Sequence, residues 1–208
     1  MIEKIASQLG RNDEAPNIEL AEYLCLHDDA AGIKEIVGGF KGKDKAIAND
    51  CIKVLYEIGK RKPDLIAGYA DDFIASLRSK NNRLAWGSMT ALATITEIIA
   101  ASIFEKLPIV IAAYEAGSVI TVDNSISVFA GLCKSNDKYT ETVLPILIKH
   151  LQKCKPKEVA QHAERSSVCF NSKNAVDFIA VLEARKPHLT SSGQTRIEKL
   201  LKLLRAIN

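Results

Sequence analysis

The chain has few of the fixed motifs on which common enzyme chemistries depend. No Walker loop, Gly-x-Gly-x-x-Gly element or Gly-x-Ser-x-Gly elbow occurs in its 208 residues, so nucleotide-dependent and serine-hydrolase chemistries lack their usual supports. Cysteines number five, an odd count with no Cys-x-x-Cys pair; a disulfide framework is excluded as the basis of the fold, and a reducing cytoplasm is the expected setting. Gly (11) and Pro (6) follow no short period, which excludes collagen-like and low-complexity classes. The start of the chain has no continuous apolar stretch of signal-peptide length. The most apolar region, 91–114, is interrupted by Glu97, Glu105 and Lys106; a spanning helix needs about 20 largely uncharged residues, so neither a span nor a membrane partner is expected. Net charge is only +3 and apolar content is 47%, which excludes global disorder. A chain of this length can bury roughly 70% of its unfolded surface without disulfide or metal staples.

What is present is a period. Shifted by 37 residues, Leu107-Pro108-Ile109 falls on Leu144-Pro145-Ile146. Ile52, Met89 and Ile126 then align, as do Leu55, Leu92 and Phe129, and Ile58, Ile95 and Leu132. In the second half of each unit Ile36, Phe73, Val110 and Leu147 share one phase, Ile33, Ala70, Leu107 and Leu144 another, and Phe40, Leu77, Tyr114 and Leu151 a third. Steps of three and four within each set are those of a helix face, not of a strand. Asp44, Asn81 and Ser118 occupy one phase before each first helix and are all suited to N-capping. Gly42 and Gly117 stand where a left-handed stop often ends a helix.

Each unit therefore reads as a helical hairpin. First helices are expected near 45–60, 82–98 and 119–134, and second helices near 64–79, 101–115 and 138–154. Pro63 suits a helix opening, whereas Pro108 and Pro145 predict bends inside theirs. Clear repeats span 44–80, 81–117 and 118–154; a degenerate unit covers 17–43, with Asn17 as its cap, and capping helices near 156–170, 173–186 and 191–207 fill out 155–208. The expected fold is all-α, an α-α superhelix forming a single repeat domain over 1–208.

Tandem two-helix units of about this length resemble HEAT and armadillo-like α-solenoids. That resemblance implies a non-enzymatic scaffold for a macromolecular partner, most simply a protein, held on its concave face or basic inter-repeat edge. One HEAT-like family of similar size excises alkylated bases from DNA, so a DNA-binding or glycosylase-type enzyme is the alternative and nucleic acid the alternative partner. The residues supply candidate surfaces. Lys41, Lys43 and Lys45 fill one inter-repeat turn, Arg78, Lys80 and Arg83 the next, and Lys153, Lys155 and Lys157 the fourth, while 115–120 is bare of cations. Stacked, such turns make a basic ridge suited to an acidic protein face or a phosphate backbone. Trp86, the single tryptophan, shares a phase with Asn49 and Asp123 that points away from the helix-pair core, half exposed. Ile109 and Ile146 stand where Glu35 and Asp72 stand earlier in the chain, making an apolar groove. In 194–207 a basic row (Arg196, Lys199, Lys202, Arg205) runs beside Ile197, Leu200, Leu201, Leu204 and Ile207, the pattern of a closing helix.

No catalytic residue and no cofactor is assigned. Asp28-Asp29 and Asp71-Asp72 are adjacent in sequence and diverge on a helix, so they make no acid–base pair. His150 and Cys154, four apart, can share a helix face. Two ligands do not make a metal site, and none is assigned; further donors would have to come from elsewhere, with His162 and Cys169 the candidates.

Overall fold

In the computed structural model, which describes residues 1–207, the helix starts are set where the capping residues stand. The Asp44 carboxylate accepts from the N–H groups of Ala46 (2.9 Å) and Ile47 (3.0 Å), Asn81 from Arg83 (3.1 Å), and Ser118 from Thr121 (3.4 Å). They open α3 (Lys45–Arg61), α6 (Asn82–Ile95) and α9 (Val119–Ser135). Before them run α1 (Ala15–Leu26) and α2 (Ala30–Phe40), the latter capped by Asp29. No strand is present among the described residues. The fold is all-α.

The second half of each unit is more broken than its hydrophobic pattern suggests. The helix expected over 64–79 is two pieces, α4 (Asp64–Ala67) and α5 (Ala70–Ser76), parted at Gly68-Tyr69. Glycine inside a helix costs about 1 kcal/mol relative to alanine. At Pro108 the expected bend is a full break: α7 (Ala100–Glu105) stops, Lys106 leaves helical geometry, and α8 (Leu107–Ala116) begins with the proline in its first turn. That register places the missing N–H where no helical partner is needed. Pro145 by contrast lies within a continuous α10 (Asp137–Lys153). The tail holds α11 (Pro156–Ser166), α12 (Ala175–Arg185) and α13 (Ser191–Ile207).

Three local expectations are corrected. Asn17 caps nothing: it lies in the first turn of α1, 1% exposed, accepting from Ala6 N–H (2.9 Å) and donating to Asp50 (2.9 Å). Gly42 and Gly117 are not left-handed stops. Among the described residues the positive-φ positions are Gly10 and Asp28, the latter just past the end of α1, where Asp29 N–H returns to the Leu24 carbonyl. Gly117 is required for a different reason. A Cβ there would lie 2.5 Å from the Ala113 carbonyl oxygen and 2.6 Å from Thr121.

The chain forms two compact units, Met1–Ser125 and the residues from Ile126 onward. In the first, α3 packs against α1, α2 and α6, and α5 against α6. In the second, α12 lies on α10 and α13, and α11 on α13. Burial follows the period: Ile52, Met89 and Ile126, Leu55, Leu92 and Phe129, Ile58, Ile95 and Leu132, and Ile36, Phe73, Val110 and Leu147 are all wholly buried. Each such side chain contributes roughly 1.5–3 kcal/mol against about 1 kcal/mol for a cap, so the buried phases carry the fold and the caps fix its register. Tyr114 and Leu144 fall on core phases but are only half-buried.

Several polar links between elements span close to one repeat. In the first unit Lys62 binds Asp28 across 34 residues, Asn81 binds Asn49 across 32, and Asn124 binds Thr90 across 34. In the second, Arg165 binds Ser127 across 38, Lys173 binds Asp137 across 36, and Arg196 binds Glu164 across 32.

Candidate functional site

The candidate binding residues of the first unit divide by environment. Lys41, Lys43, Lys45, Arg78 and Lys80 are exposed. Lys41 pairs with Asp72 at 2.7 Å, while the other four make no ion pair among the described residues. Arg83 turns away from them. Its guanidinium meets Glu14 at 2.5 Å and lies 5.8 Å from the centre of the Trp86 ring. Trp86 is half-buried, and the Tyr56 ring lies 5.9 Å from it between ring centres. Its free surface is thereby reduced by an internal aromatic and an internal cation.

Glu14, the partner of Arg83, also joins a network not foreseen from the sequence. Lys53 and Glu57, each 6% exposed, pair at 3.0 Å. Glu57 also receives Lys60 (2.8 Å) and Arg61 (2.7 Å), and Lys53 also reaches Glu14 (2.9 Å). Burial pushes the Glu57 carboxyl upward, but hydrogen bonds from Lys60, Arg61 and Lys53 outweigh it and hold the group down at about 2. Helical spacing of four and three along α3 was visible in 53, 57, 60 and 61; the burial of Lys53 and Glu57 was not, because it depends on the helices packed against α3.

The first unit also has a cleft of about 320 Å³. Its walls are the turn after α5 (Leu77, Arg78, Ser79), the start of α6 (Asn82, Ala85), and the α8 face Ile109, Ala112, Ala113 and Ala116, closed by Gly117 and Thr121. Two candidate residues from different parts of the sequence, Ile109 and Arg78, thus line one depression. Ile109 is half-buried, and just past the cleft Val119 (63%) and Ile120 (45%) are exposed.

In the second unit Ile146 is half-buried and Lys153, Lys155 and Lys157 are exposed, without ion pairs among the described residues. The basic row of α13 is partly neutralised, Arg196 by Glu164 and Arg205 by Glu183 (2.8 Å). Its apolar face is used: Ile197, Leu200, Leu201 and Leu204 are buried, although Ile207 is 41% exposed. No helix among the described residues is long and apolar enough to cross a membrane.

The second unit also gathers metal-ligating groups. His150 and Cys154 share one face at the end of α10, and α11 brings His162 beside them. His150 Nε2 and His162 Nδ1 are 2.7 Å apart, and one ring nitrogen of each histidine and Cys154 Sγ all lie within 4.8 Å of one another. His162 is 1% and His150 9% exposed. Cys154 is half-buried, and burial pushes its thiol up to about 11. Cys169 is not part of the group; its thiol faces Cys133. All five cysteines are free thiols.

Comparison with known proteins adds the fold and nothing chemical. A crystal structure of an engineered protein, from a structural genomics consortium, superposes with a TM-score of 0.66. The match covers 99% of this chain and 96% of that one, at 16% sequence identity. No family model matches the chain, and no curated protein matches its sequence. The helical arrangement is therefore shared where the sequence is not.

Proposed function

We propose that this chain is a non-enzymatic HEAT/armadillo-like repeat scaffold that binds a protein partner, namely an acidic amphipathic helix, in the cleft between α5, α6 and α8. Two features support the repeat reading. Most core-phase positions 37 residues apart are buried alike, and several side-chain links span 32 to 38 residues. Successive hairpins stacked side by side, each completing the interior of the one before, produce both.

The observation that carries the binding reading is the cleft itself. Its α8 wall offers one large apolar anchor, Ile109, among alanines that let a second helix approach closely, and its rim carries the unpaired Arg78 with Lys80 two residues on. A helix that buries an apolar face on such a floor gains non-directional affinity, while its acidic face is steered and oriented by the cations. Free thiols throughout suit a reducing, cytoplasmic setting.

The test compares the immobilised full chain with Ile109→Asp and Arg78→Glu in binding proteins from a cell lysate. The expected result is a protein retained by the wild type, lost from both variants and weakened by salt. An identical retained set for all three overturns the reading. Duplex DNA, titrated with salt, separates the alternative: binding that survives Ile109→Asp, disappears when Arg78 and Lys80 become Ser, and falls steeply with salt moves the assignment to a nucleic-acid binder.

A further inference from the structure

We infer that His150, Cys154 and His162 bind a single borderline-soft divalent metal ion, zinc first among them, with its fourth position left to water. Three features of the chain build this site. The i, i+4 spacing on α10 stacks His150 and Cys154 on one face. Cys154 is also the residue at which α10 ends, its N–H held by the His150 carbonyl at 2.8 Å, so that Cβ is fixed just where the chain turns. The link Lys155-Pro156 then starts α11 at once, with Glu158 accepting from Lys155 N–H at 3.2 Å, and two helical turns later His162 arrives opposite.

The distances agree with a shared ion. Tetrahedral zinc with Zn–N of about 2.0–2.1 Å and Zn–S of about 2.3 Å sets donor–donor edges of about 3.3–3.6 Å. Donor atoms separated here by 2.7 Å at the shortest and by no more than 4.8 Å bracket that value; reaching it opens the His–His pair by about 0.6 Å and draws the widest pair together by at most about 1.2 Å. The two imidazoles satisfy each other by a hydrogen bond, so the pair by itself explains their burial. The Cys154 thiol, which donates to the Leu151 carbonyl at 3.8 Å, is held within 4.8 Å of a ring nitrogen of each. Imidazole with thiolate selects zinc, cobalt or copper over the all-oxygen preferences of magnesium and calcium.

Binding balances simply. The ion replaces the His–His hydrogen bond, and the ring that donated it moves its proton to its outer nitrogen. The thiol gives up its proton to solvent, forming one metal–sulfur bond with one H⁺ released and no change in oxidation state. The Arg185 guanidinium, 2.6 Å from the Cys154 carbonyl, supplies a cation on the side where thiolate charge develops.

Titration of the chelator-treated full chain with Co²⁺ alone tests this. One ion per chain is expected, with the intense visible absorption of four-coordinate cobalt and a near-ultraviolet thiolate-to-cobalt band, both removed by added Zn²⁺. Cys154→Ser should abolish the thiolate band and weaken cobalt binding by at least about tenfold, since even indirect partners of metal ligands are worth 10- to 100-fold. His162→Gln tests the second helix but sits in the core; Cys154 is half-buried at a helix end, so its variant stays folded, as circular dichroism would verify. Only weak six-coordinate cobalt absorption at saturation, or a thiolate band unchanged in Cys154→Ser, overturns the site.

Discussion

Asn17 does the work of a tertiary staple. Its side chain takes the buried Ala6 N–H and donates to Asp50, whose other oxygen takes Ser7 N–H at 2.8 Å. Removing it leaves a buried donor without a partner, a loss of about 1–3 kcal/mol. Asn17→Ala should therefore lower stability by about 2 kcal/mol in urea denaturation. Asn17→Asp keeps the acceptor but sets a second carboxylate against Asp50, and should do no better at neutral pH. An Asn17→Ala midpoint equal to wild type would show that the staple contributes nothing. The sequence invites a different role because asparagine at the edge of a helical pattern is read through its own neighbours. Asp44, Asn81 and Ser118 were legible for that same reason: an N-cap bonds N–H groups two or three residues away. The partners of Asn17 lie 11 and 33 residues off and leave no local pattern.

Elements, too, were legible to the extent that neighbours along the chain decide them. The first helices begin and end within a few residues of the hydrophobic phase because one strong cap and one continuous apolar stripe agree. Second helices break at Gly68 and Pro108, where backbone preferences override an unbroken stripe. His150 and Cys154 were readable as a pair from spacing on one helix; His162 could be nominated only as a candidate, since its approach depends on the turn after Cys154. Arg83 shows the same boundary from the other side, a turn cation drawn inward by Glu14. The contact of α3 with α6 offers an element-scale test. At Gly59 a Cβ would land on Thr94 Oγ1 and lie 2.8 Å from Ile66 Cδ1. Neither neighbour can swing clear without losing packing, because Thr94 is branched at Cβ and Ile66 is wholly buried. Gly59→Ala would ordinarily stabilise a helix by about 1 kcal/mol, but overpacking of a tight core costs about 1–3 kcal/mol. The net expectation is destabilisation, read as a lower melting temperature. A raised one would mean that α3 and α6 separate without strain.

Over the whole molecule, carboxylates held by cations link stability to acid. Glu57, Glu164, Glu35 and Glu198 all have carboxyl groups below the ordinary range, each next to a cation. Only Glu57 is deeply enclosed. For such a group the folded value lies below the unfolded one, so its contribution is full above pH about 4.5 and is lost as pH falls through about 2. A difference of that size corresponds to roughly 3 kcal/mol, far above the 0–1 kcal/mol of an exposed pair. Acidification also raises the net charge of a chain already at +3, which adds self-repulsion in the same direction. Urea midpoints measured from pH 7 down to pH 2 should therefore fall mainly below pH 5. Glu57→Gln should lower the midpoint at pH 7, where it leaves buried Lys53 with Glu14 as its one carboxylate partner and removes the charged acceptor of Lys60 and Arg61, and the two midpoints should draw together as pH falls towards 2, where the Glu57 carboxyl is itself becoming neutral. Parallel curves, displaced equally at every pH, would assign the loss to packing and remove Glu57 from the acid response.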